Sequence, residues 1–392
     1  MLITLFLQRS SNMKIVIAMD SFKGTLKAHE ACTAVSDEIA KYLSDVTIVI
    51  KPMADGGEGT AKAMIKAGDG LWIAHIAMGP LREMRVEAGF AWFPDGMALV
   101  EMAAASGLEL LKPEQYNPLK TTTYGTGQLI KAAVQHGASK ILLAVGGSAT
   151  VDGGLGAAMA LSFKFLDRHN NPVPLGGRGL ETIAWIIKPE QSLLLSRDGK
   201  PVEVEVLCDV DNPLCGVNGA AEVYGPQKGA TPQMVKRLDM GLAHLAKLVR
   251  EQLGKDIENI PGAGAAGGLA AGAVAFMDAT IVSGIETVMA RSNLRQELES
   301  ADWVITGEGS FDRQSLSGKV ISGILKMARQ TNTRVAVIAG QVNIPEAEYK
   351  KLGIAAAIPA KPDDMSLDEA LRESRTLLAS AAKRFAAQYL AG

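Results

Sequence analysis

Cysteine is scarce. The three in this chain of 392 residues, Cys32, Cys208 and Cys215, form no CxxC pair. A full disulfide framework therefore cannot hold the fold, and a reducing compartment is the simpler setting. Charge of one sign is missing as well. Lys plus Arg number 40 against 42 Asp plus Glu, a net charge of −2, which leaves no basic footprint for nucleic acid. Long apolar runs are absent too. The uncharged stretch from Pro261 to Met277 is crowded with glycine and alanine and is short for a membrane span. The apolar start before Arg9 has no basic flank and no small-residue cleavage site, which argues against a signal peptide. No G-x-x-x-x-G-K-[ST] occurs, so a P-loop nucleotide site is excluded, and neither a serine elbow nor a Cys–His signature is present. The five histidines, among them His29, His75, His136 and His169, have no metal-ligand spacing and read as structural or surface residues. These absences predict a cytoplasmic protein that meets neither nucleic acid nor membrane. The first strong strand follows Met13, the expected natural start, and residues 1–12 are expected to be dispensable.

What is plentiful is apolar residue, 47%, and glycine, 41 in all. A chain of this length and composition can bury a large core and is expected to form two domains. Short β-branched runs at Lys14–Met19, Val46–Ile50, Ala98–Glu101, Lys140–Val145, Val202–Cys208, Trp303–Thr306 and Arg334–Ala339 predict strands. Between many of them lie helix-length stretches: His29–Leu43, Thr60–Ala67, Gly127–His136, Met234–Leu253 and Lys319–Arg329. Apolar runs without alternation predict strands covered on both faces, and their alternation with helices predicts βαβ units and largely parallel sheets. Residues 78–96 alternate instead, a pattern compatible with antiparallel pairing. The two ends of the chain read alike, as strand, glycine-bearing acidic loop and helix. The expectation is a two-domain α/β protein with largely parallel sheets and flanking helices. Residues 1–79 and 291–392 would form a Rossmann-like domain, with a second α/β domain, 80–290, inserted in it.

Acids and glycines recur where the strands end, which is where ligands bind in open α/β sheets. Asp20 is followed by Ser21, Phe22, Lys23 and Gly24. Asp55 stands beside Gly56, Gly57, Glu58 and Gly59. Asp209 and Asp211 follow the run ending at Cys208, and Glu308 lies between two glycines ahead of Asp312, Gln314 and Lys319. A single such Asp is as often a helix cap as a ligand, but the repetition beside glycine pairs points to function. Two stretches look like anion cradles. Residues 144–156 place Gly146, Gly147, Ser148 and Thr150 after a strand, where backbone N–H groups can meet a phosphate. Residues 261–272 contain Gly262, Gly264, Gly267 and Gly268; the first three match G-x-G-x-x-G, yet the residues before them make a poor strand, so a dinucleotide fingerprint is disfavoured. Close packing through small residues is the other use of that stretch. Lys23, Lys228 and Lys319 each sit in a glycine-bearing loop, where a lysine can neutralise phosphate charge.

The segments DSFKGTL (from Asp20), ADGGEGT (Ala54), EMAAASGLELL (Glu101), GGSATVDGG (Gly146), CDVDNPLCG (Cys208), GPQKGAT (Gly225), PGAGAAGG (Pro261) and VITGEG (Val304) follow one another in this order. Together they resemble the bacterial glycerate kinase family that is neither P-loop nor actin-like, over nearly the whole chain. The resemblance implies ATP-dependent phosphorylation of D-glycerate with Mg²⁺, typically to 2-phosphoglycerate, with 3-phosphoglycerate the alternative product. It implies a two-domain α/β fold, and a homodimer is compatible with it. On that footing Asp20, Lys23, Asp312 and Lys319 are expected to be catalytic, with Asp20 or Asp312 accepting the hydroxyl proton. Ser21, Asp55, Glu58, Ser106, Glu308 and Gln314 are expected to bind substrate. Gly146, Gly147, Ser148, Thr150, Gly262, Gly264, Gly267 and Gly268 are assigned to ATP, and Asp209 and Asp211 to Mg²⁺. Three positions depart from the pattern: Met19 in place of proline, Gln128 in place of a carboxylate, and Ser310 where an arginine often stands. The rival readings are a dinucleotide-dependent oxidoreductase, resting on GAGAAG alone, and a sugar-acid-sensing regulator, which lacks a helix-turn-helix or basic patch.

Overall fold

The structure, a computed structural model, describes residues 13–390 except 23, 44, 55, 58 and 317–319. The chain divides into two compact units: one takes the chain up to Met53 and again from Met289, and the other is Ala54–Val288.

The first unit is built on five parallel strands in the order Ile354–Pro359, Arg334–Ala339, Trp303–Thr306, Met13–Ile17, Val46–Ile50. Ile15, Val16 and Ile17 are wholly buried, as are Val304 and Ile305, which is why these runs show no polar alternation. Helices Ala28–Tyr42 and Ser374–Tyr389 bury Val35, Ile39, Leu378 and Phe385 in one core with Ile15, Ile17, Ile305 and Ile338. Phe385 meets Trp303 edge-on, with ring centroids 5.2 Å apart. The sheet is wound outward from Met13–Ile17, first to one side and later to the other. Its direction therefore reverses between Met13–Ile17 and Trp303–Thr306, the place where open α/β sheets bind ligands beyond the carboxyl ends of their strands.

The second unit holds six strands in the order Thr280–Val282, Glu203–Leu207, Lys140–Ala144, Met97–Glu101, Arg85–Trp92, Leu71–Met78. The first four are parallel, and the last two pairings are antiparallel. The alternating segment 78–96 thus supplies the strand Arg85–Trp92, which pairs antiparallel with the strand before it and the strand after it. Leu71–Met78 pairs with Arg85–Trp92 along its whole length, so residues from 54 onward go with the middle of the chain. A boundary at 79/80 would cut this hairpin at its turn, and at the far end the division falls after Val288 rather than at 290/291.

Helix Ala265–Met277 is buried almost all round. It contributes Leu269, Ala270 and Ala273 to one core, and Ala271, Ala275 and Phe276 to the other. The uncharged stretch of the sequence is therefore a central helix of the unit, apolar on every face because every face is covered. No helix among the described residues is long and apolar enough to cross a membrane. The helix is kinked near its start, where Ala266, Gly267 and Gly268 all have positive φ, and this kink accounts for the glycine pair. Gly267 has φ +67°, and a Cβ there would lie 1.9 Å from the Thr150 carbonyl oxygen. By contrast Gly254, which ends helix Pro232–Leu253 at φ +72°, has open space where its Cβ would go.

Gly254→Ala should therefore lose about 1 kcal/mol, the strain of a left-handed alanine. Gly267→Ala carries that strain plus an overlap with buried backbone and should lose about 3 kcal/mol or more. Urea denaturation of the two variants checks this; equal losses would show that the contact at Thr150 relaxes freely.

Candidate active site

In the middle unit the loop after strand Lys140–Ala144 is organised around a buried lysine. Lys228 follows a short helical turn, Pro226–Lys228, and is 2% exposed. Its Nζ donates to Ser148 Oγ at 2.6 Å and to the Thr150 carbonyl at 2.8 Å. Burial pushes the ammonium down to about 7, with the charge of Asp152 acting in the opposite direction. Asp152 is itself fully buried, and desolvation raises its carboxyl above the usual value while its hydrogen bonds hold it down. Those bonds come from Thr123 N at 2.8 Å, Thr123 Oγ1 at 3.0 Å, Gly154 N at 3.1 Å and Gly156 N at 3.3 Å. One carboxylate thus gathers the starts of helices Tyr124–His136 and Leu155–Ala160 under the loop.

The loop is clamped from its other side. Leu108 N donates to the Gly147 carbonyl at 2.8 Å, and Ala149 N donates to the Ser106 carbonyl at 3.0 Å. Gly147 turns at φ +77° and is exposed, while Ser148 is 8% exposed. Gly146, Gly147, Ser148 and Thr150 therefore come together as one loop whose tip reaches solvent. Ser106 is fully buried, and its Oγ accepts from Thr126 Oγ1 at 2.9 Å; its place is beneath the loop rather than on an open surface. Gly262, Gly264, Gly267 and Gly268 are all buried. Their missing side chains make room for Cys208 and Val210, for Asn212 and Pro213, for Thr150 and Val151, and for Leu214 and Gly153. Close packing accounts for each of them. Residues 254–260, just before them, form no strand, so the dinucleotide fingerprint lacks the element it requires.

Asp209 and Asp211 follow strand Glu203–Leu207, but they are differently used. Asp209 accepts from Ser283 Oγ at 2.7 Å, Gly284 N at 3.1 Å and Ile285 N at 3.0 Å, holding the start of helix Gly284–Arg291. Asp211 is exposed. Among the described residues no group of three or more His, Cys, Asp or Glu side chains is placed to hold a metal ion. Gln128, one of the departures, has a local use: its Oε1 accepts from Met78 N at 2.8 Å, a task that either an amide or a carboxylate oxygen can perform.

In the other unit, Asp20 and Glu308 follow the two strands between which the sheet reverses. Asp20 N donates to the Gly307 carbonyl at 2.9 Å, which sets the two loops side by side. The Asp20 carboxylate accepts from Ser21 N, and both Asp20 and Glu308 are half-buried. Asp312 accepts from Gln314 N at 2.8 Å and from Ser310 Oγ at 3.1 Å; it holds the turn Arg313–Leu316, and Ser310 is its partner. Gln314 is exposed. Lys23, Asp55, Glu58 and Lys319 lie outside the described residues. From sequence alone Lys228 is one of three lysines in glycine-bearing loops, outside the assigned site, and Asp152 does not stand out. The signal for both was their glycine-bearing loops, but only burial separates such a lysine from a surface one.

Comparison with known proteins bears on what this arrangement does. Residues 15–390 match the family described as the Glycerate kinase family. The chain is 43% identical to a glycerate kinase of Halalkalibacterium halodurans, over 95% of this chain and 97% of that one. It is 42% identical to the glycerate 2-kinase of Escherichia coli strain K12, over 97% and 99%. A crystal structure of a glycerate kinase 2 from Salmonella typhimurium LT2 superposes with a TM-score of 0.81 at 40% identity, covering 97% of this chain and 99% of that one.

The buried lysine has a consequence for stability. Below pH 7 Lys228 is charged in the folded and unfolded chain alike. Between about 7 and the ordinary lysine value of 10.5, the unfolded chain keeps a proton that the folded chain has released. The unfolded state then binds more protons, so this residue's contribution to stability rises with pH across that window. Urea denaturation at a series of pH values should show the rise in the ligand-free protein and its loss in Lys228→Met. Identical pH dependence in both proteins would mean that Lys228 does not titrate there.

Proposed function

The chain belongs to the glycerate kinase family, and on that premise we propose that it phosphorylates D-glycerate with ATP and Mg²⁺, giving 2-phosphoglycerate. It is a kinase enzyme; the nucleotide, the metal, the product and the roles below are our reading. The observation that carries the nucleotide half is the loop Gly146–Thr150 over a buried lysine. Phosphoryl transfer demands positioning and charge neutralisation more than covalent chemistry. A backbone turn at Gly147 with a serine hydroxyl and a cation beneath it supplies both.

Ser148 and the backbone of Gly146 and Gly147 would bind phosphate oxygens, with Gly262–Gly268 supporting the loop from behind. Asp20 would take the proton of the glycerate hydroxyl as that oxygen forms its bond to phosphorus and the bond to departing ADP breaks. Asp20 is preferred over Asp312 because the Asp312 carboxylate is engaged in its own turn. Ser21 and Glu308, beside Asp20, would hold glycerate, and Lys23 and Lys319 would screen the negative charge of carboxylate and phosphate. Mg²⁺ supplies charge neutralisation at the phosphates and is ordinarily held by phosphate oxygens with one or two carboxylates. Asp211, exposed, fits that role better than Asp209, whose carboxylate holds a helix start.

ADP release should require D-glycerate, ATP and Mg²⁺ together. Coupling the product to enolase, which accepts 2-phosphoglycerate and not its 3-isomer, should give phosphoenolpyruvate directly. A signal that appears only after adding phosphoglycerate mutase would assign the 3-phosphate instead, and no ADP at all would overturn the kinase assignment. Asp20→Asn should lower kcat on the order of 10²–10³ while leaving the fold intact, as removal of a well-placed group does; normal turnover would move the base elsewhere.

A further inference from the structure

The loop Gly146–Thr150 contains a hydroxyl whose direction is set from below. We propose that Lys228 is the positioning residue of this loop: by donating to Ser148 Oγ it turns the serine's own hydrogen away from the core, as the donor that meets a nucleotide phosphate. The inference rests on reading this loop as the phosphate cradle, and it assigns a role to a residue that never needs to touch the nucleotide.

The donor inventory fixes the roles. A lysine ammonium has three hydrogens to give and no lone pair, whereas a serine hydroxyl has one hydrogen and can accept twice. At 2.6 Å from a charged Lys228, Ser148 Oγ must accept, and its hydrogen is left for another partner. A neutral amine can do the reverse and take the serine's hydrogen, which leaves the loop without its outward donor. The protonation of Lys228 thus selects the orientation of Ser148. The charged group acting on Lys228 is Asp152, and the other groups it contacts, Ser148 Oγ and the Thr150 carbonyl, do not titrate near neutrality. Thr150 adds a separate sign of an incomplete site: its Oγ1 is buried and has no partner among the described residues. A polyanion arriving at the loop favours the cationic lysine. Because burial brings that group down to about 7, binding above pH 7 should take one proton from solvent onto Nζ, converting the amine to ammonium.

The probe is a non-hydrolysable ATP analogue with Mg²⁺, titrated calorimetrically into the wild-type chain in buffers of different ionisation enthalpy. At pH 8 the wild type should take up close to one proton per nucleotide bound. Its Kd should rise about tenfold per pH unit between 7.5 and 9, as linkage requires. Lys228→Met should bind at least tenfold more weakly at pH 7, with no proton uptake and no pH slope. Ser148→Ala should weaken binding, and adding it to Lys228→Met should weaken binding no further, because the two act as one unit. If Ser148→Ala weakens binding while the wild type takes up no proton, or if the two losses add, the proposal is overturned and the cradle stands. If neither Ser148→Ala nor Gly147→Val changes affinity, the cradle reading falls and takes the proposal with it. Should Lys228→Met fail to fold by circular dichroism, the wild-type proton uptake and slope decide alone.

Discussion

A lysine that is almost wholly out of water imposes conditions on everything around it. An isolated buried ammonium is costly enough that proteins either pair it or let it lose its proton. Lys228 does some of each: Ser148 and the Thr150 carbonyl take its hydrogens, Asp152 supplies opposing charge, and its proton is still held less tightly than in water. Asp152 is buried in turn and must be satisfied. Its oxygens draw in Thr123 and the backbone of Gly154 and Gly156, and so two helix starts are fixed by one carboxylate. The Thr150 carbonyl links this network to helix Ala265–Met277, because the oxygen that accepts from Lys228 is the one that would meet a Cβ at position 267. The glycine-rich helix and the buried cation therefore meet at one carbonyl, and a side chain at position 267 would disturb the oxygen that the lysine uses.

The two units solve the placement of functional loops in the same way. In each, neighbouring parallel strands deliver short loops at their carboxyl ends: Asp20 and Glu308 in one, residues 146–150 and 208–211 in the other. A strand fixed by hydrogen bonds on both sides holds its last residue firmly, and the loop begins from that fixed point. The pairing of Asp20 N with the Gly307 carbonyl extends the ladder one step past the named strands, so the carboxylate chosen as base starts from rigid backbone. Precision of this kind matters for phosphoryl transfer, where orientation alone supplies much of the rate.

The strands were legible in the sequence because burial on both faces leaves nothing but β-branched and apolar residues to choose from. Trp303–Thr306 and Arg334–Ala339, buried along nearly their whole length, stand where their runs predict, and so does the half-exposed edge strand Val46–Ile50. The antiparallel strand Arg85–Trp92 was legible for the opposite reason, the alternation of residues 78–96, whereas its partner Leu71–Met78 does not stand out as a strand. Site roles were harder because one residue type answers to two physical demands. Asp209 and Asp312 could be ligand or cap from spacing alone, and their carboxylates hold a helix start and a turn. Gly262–Gly268 could be an anion cradle or a packing seam, since both require a missing Cβ. Ser106 sits in a polar-looking motif yet lies wholly inside. For the glycines and Ser106 the deciding quantity is burial, and for the two carboxylates it is the hydrogen-bond partners; spacing in the sequence shows neither. Lys228, brought to Ser148 from eighty positions along the chain, is the extreme instance.

A kinase without a P-loop still has to bring positive charge to phosphate, and there are two ways to do it. A lysine can reach the phosphate directly and remain partly hydrated, with its charge diluted by water. Alternatively the charge can be placed beneath the loop, dry and fixed, and be felt through a hydroxyl. The second arrangement gives a stronger field because the surroundings are less polarisable. Its drawback is a cation that is unstable without its anion, visible here in the lowered affinity of Lys228 for its proton. On the proposed reading that instability would also make the arrangement selective. The loop would present its donor fully only when enough negative charge is present to hold the lysine protonated, which would favour a nucleotide polyphosphate over a lone carboxylate at the same place.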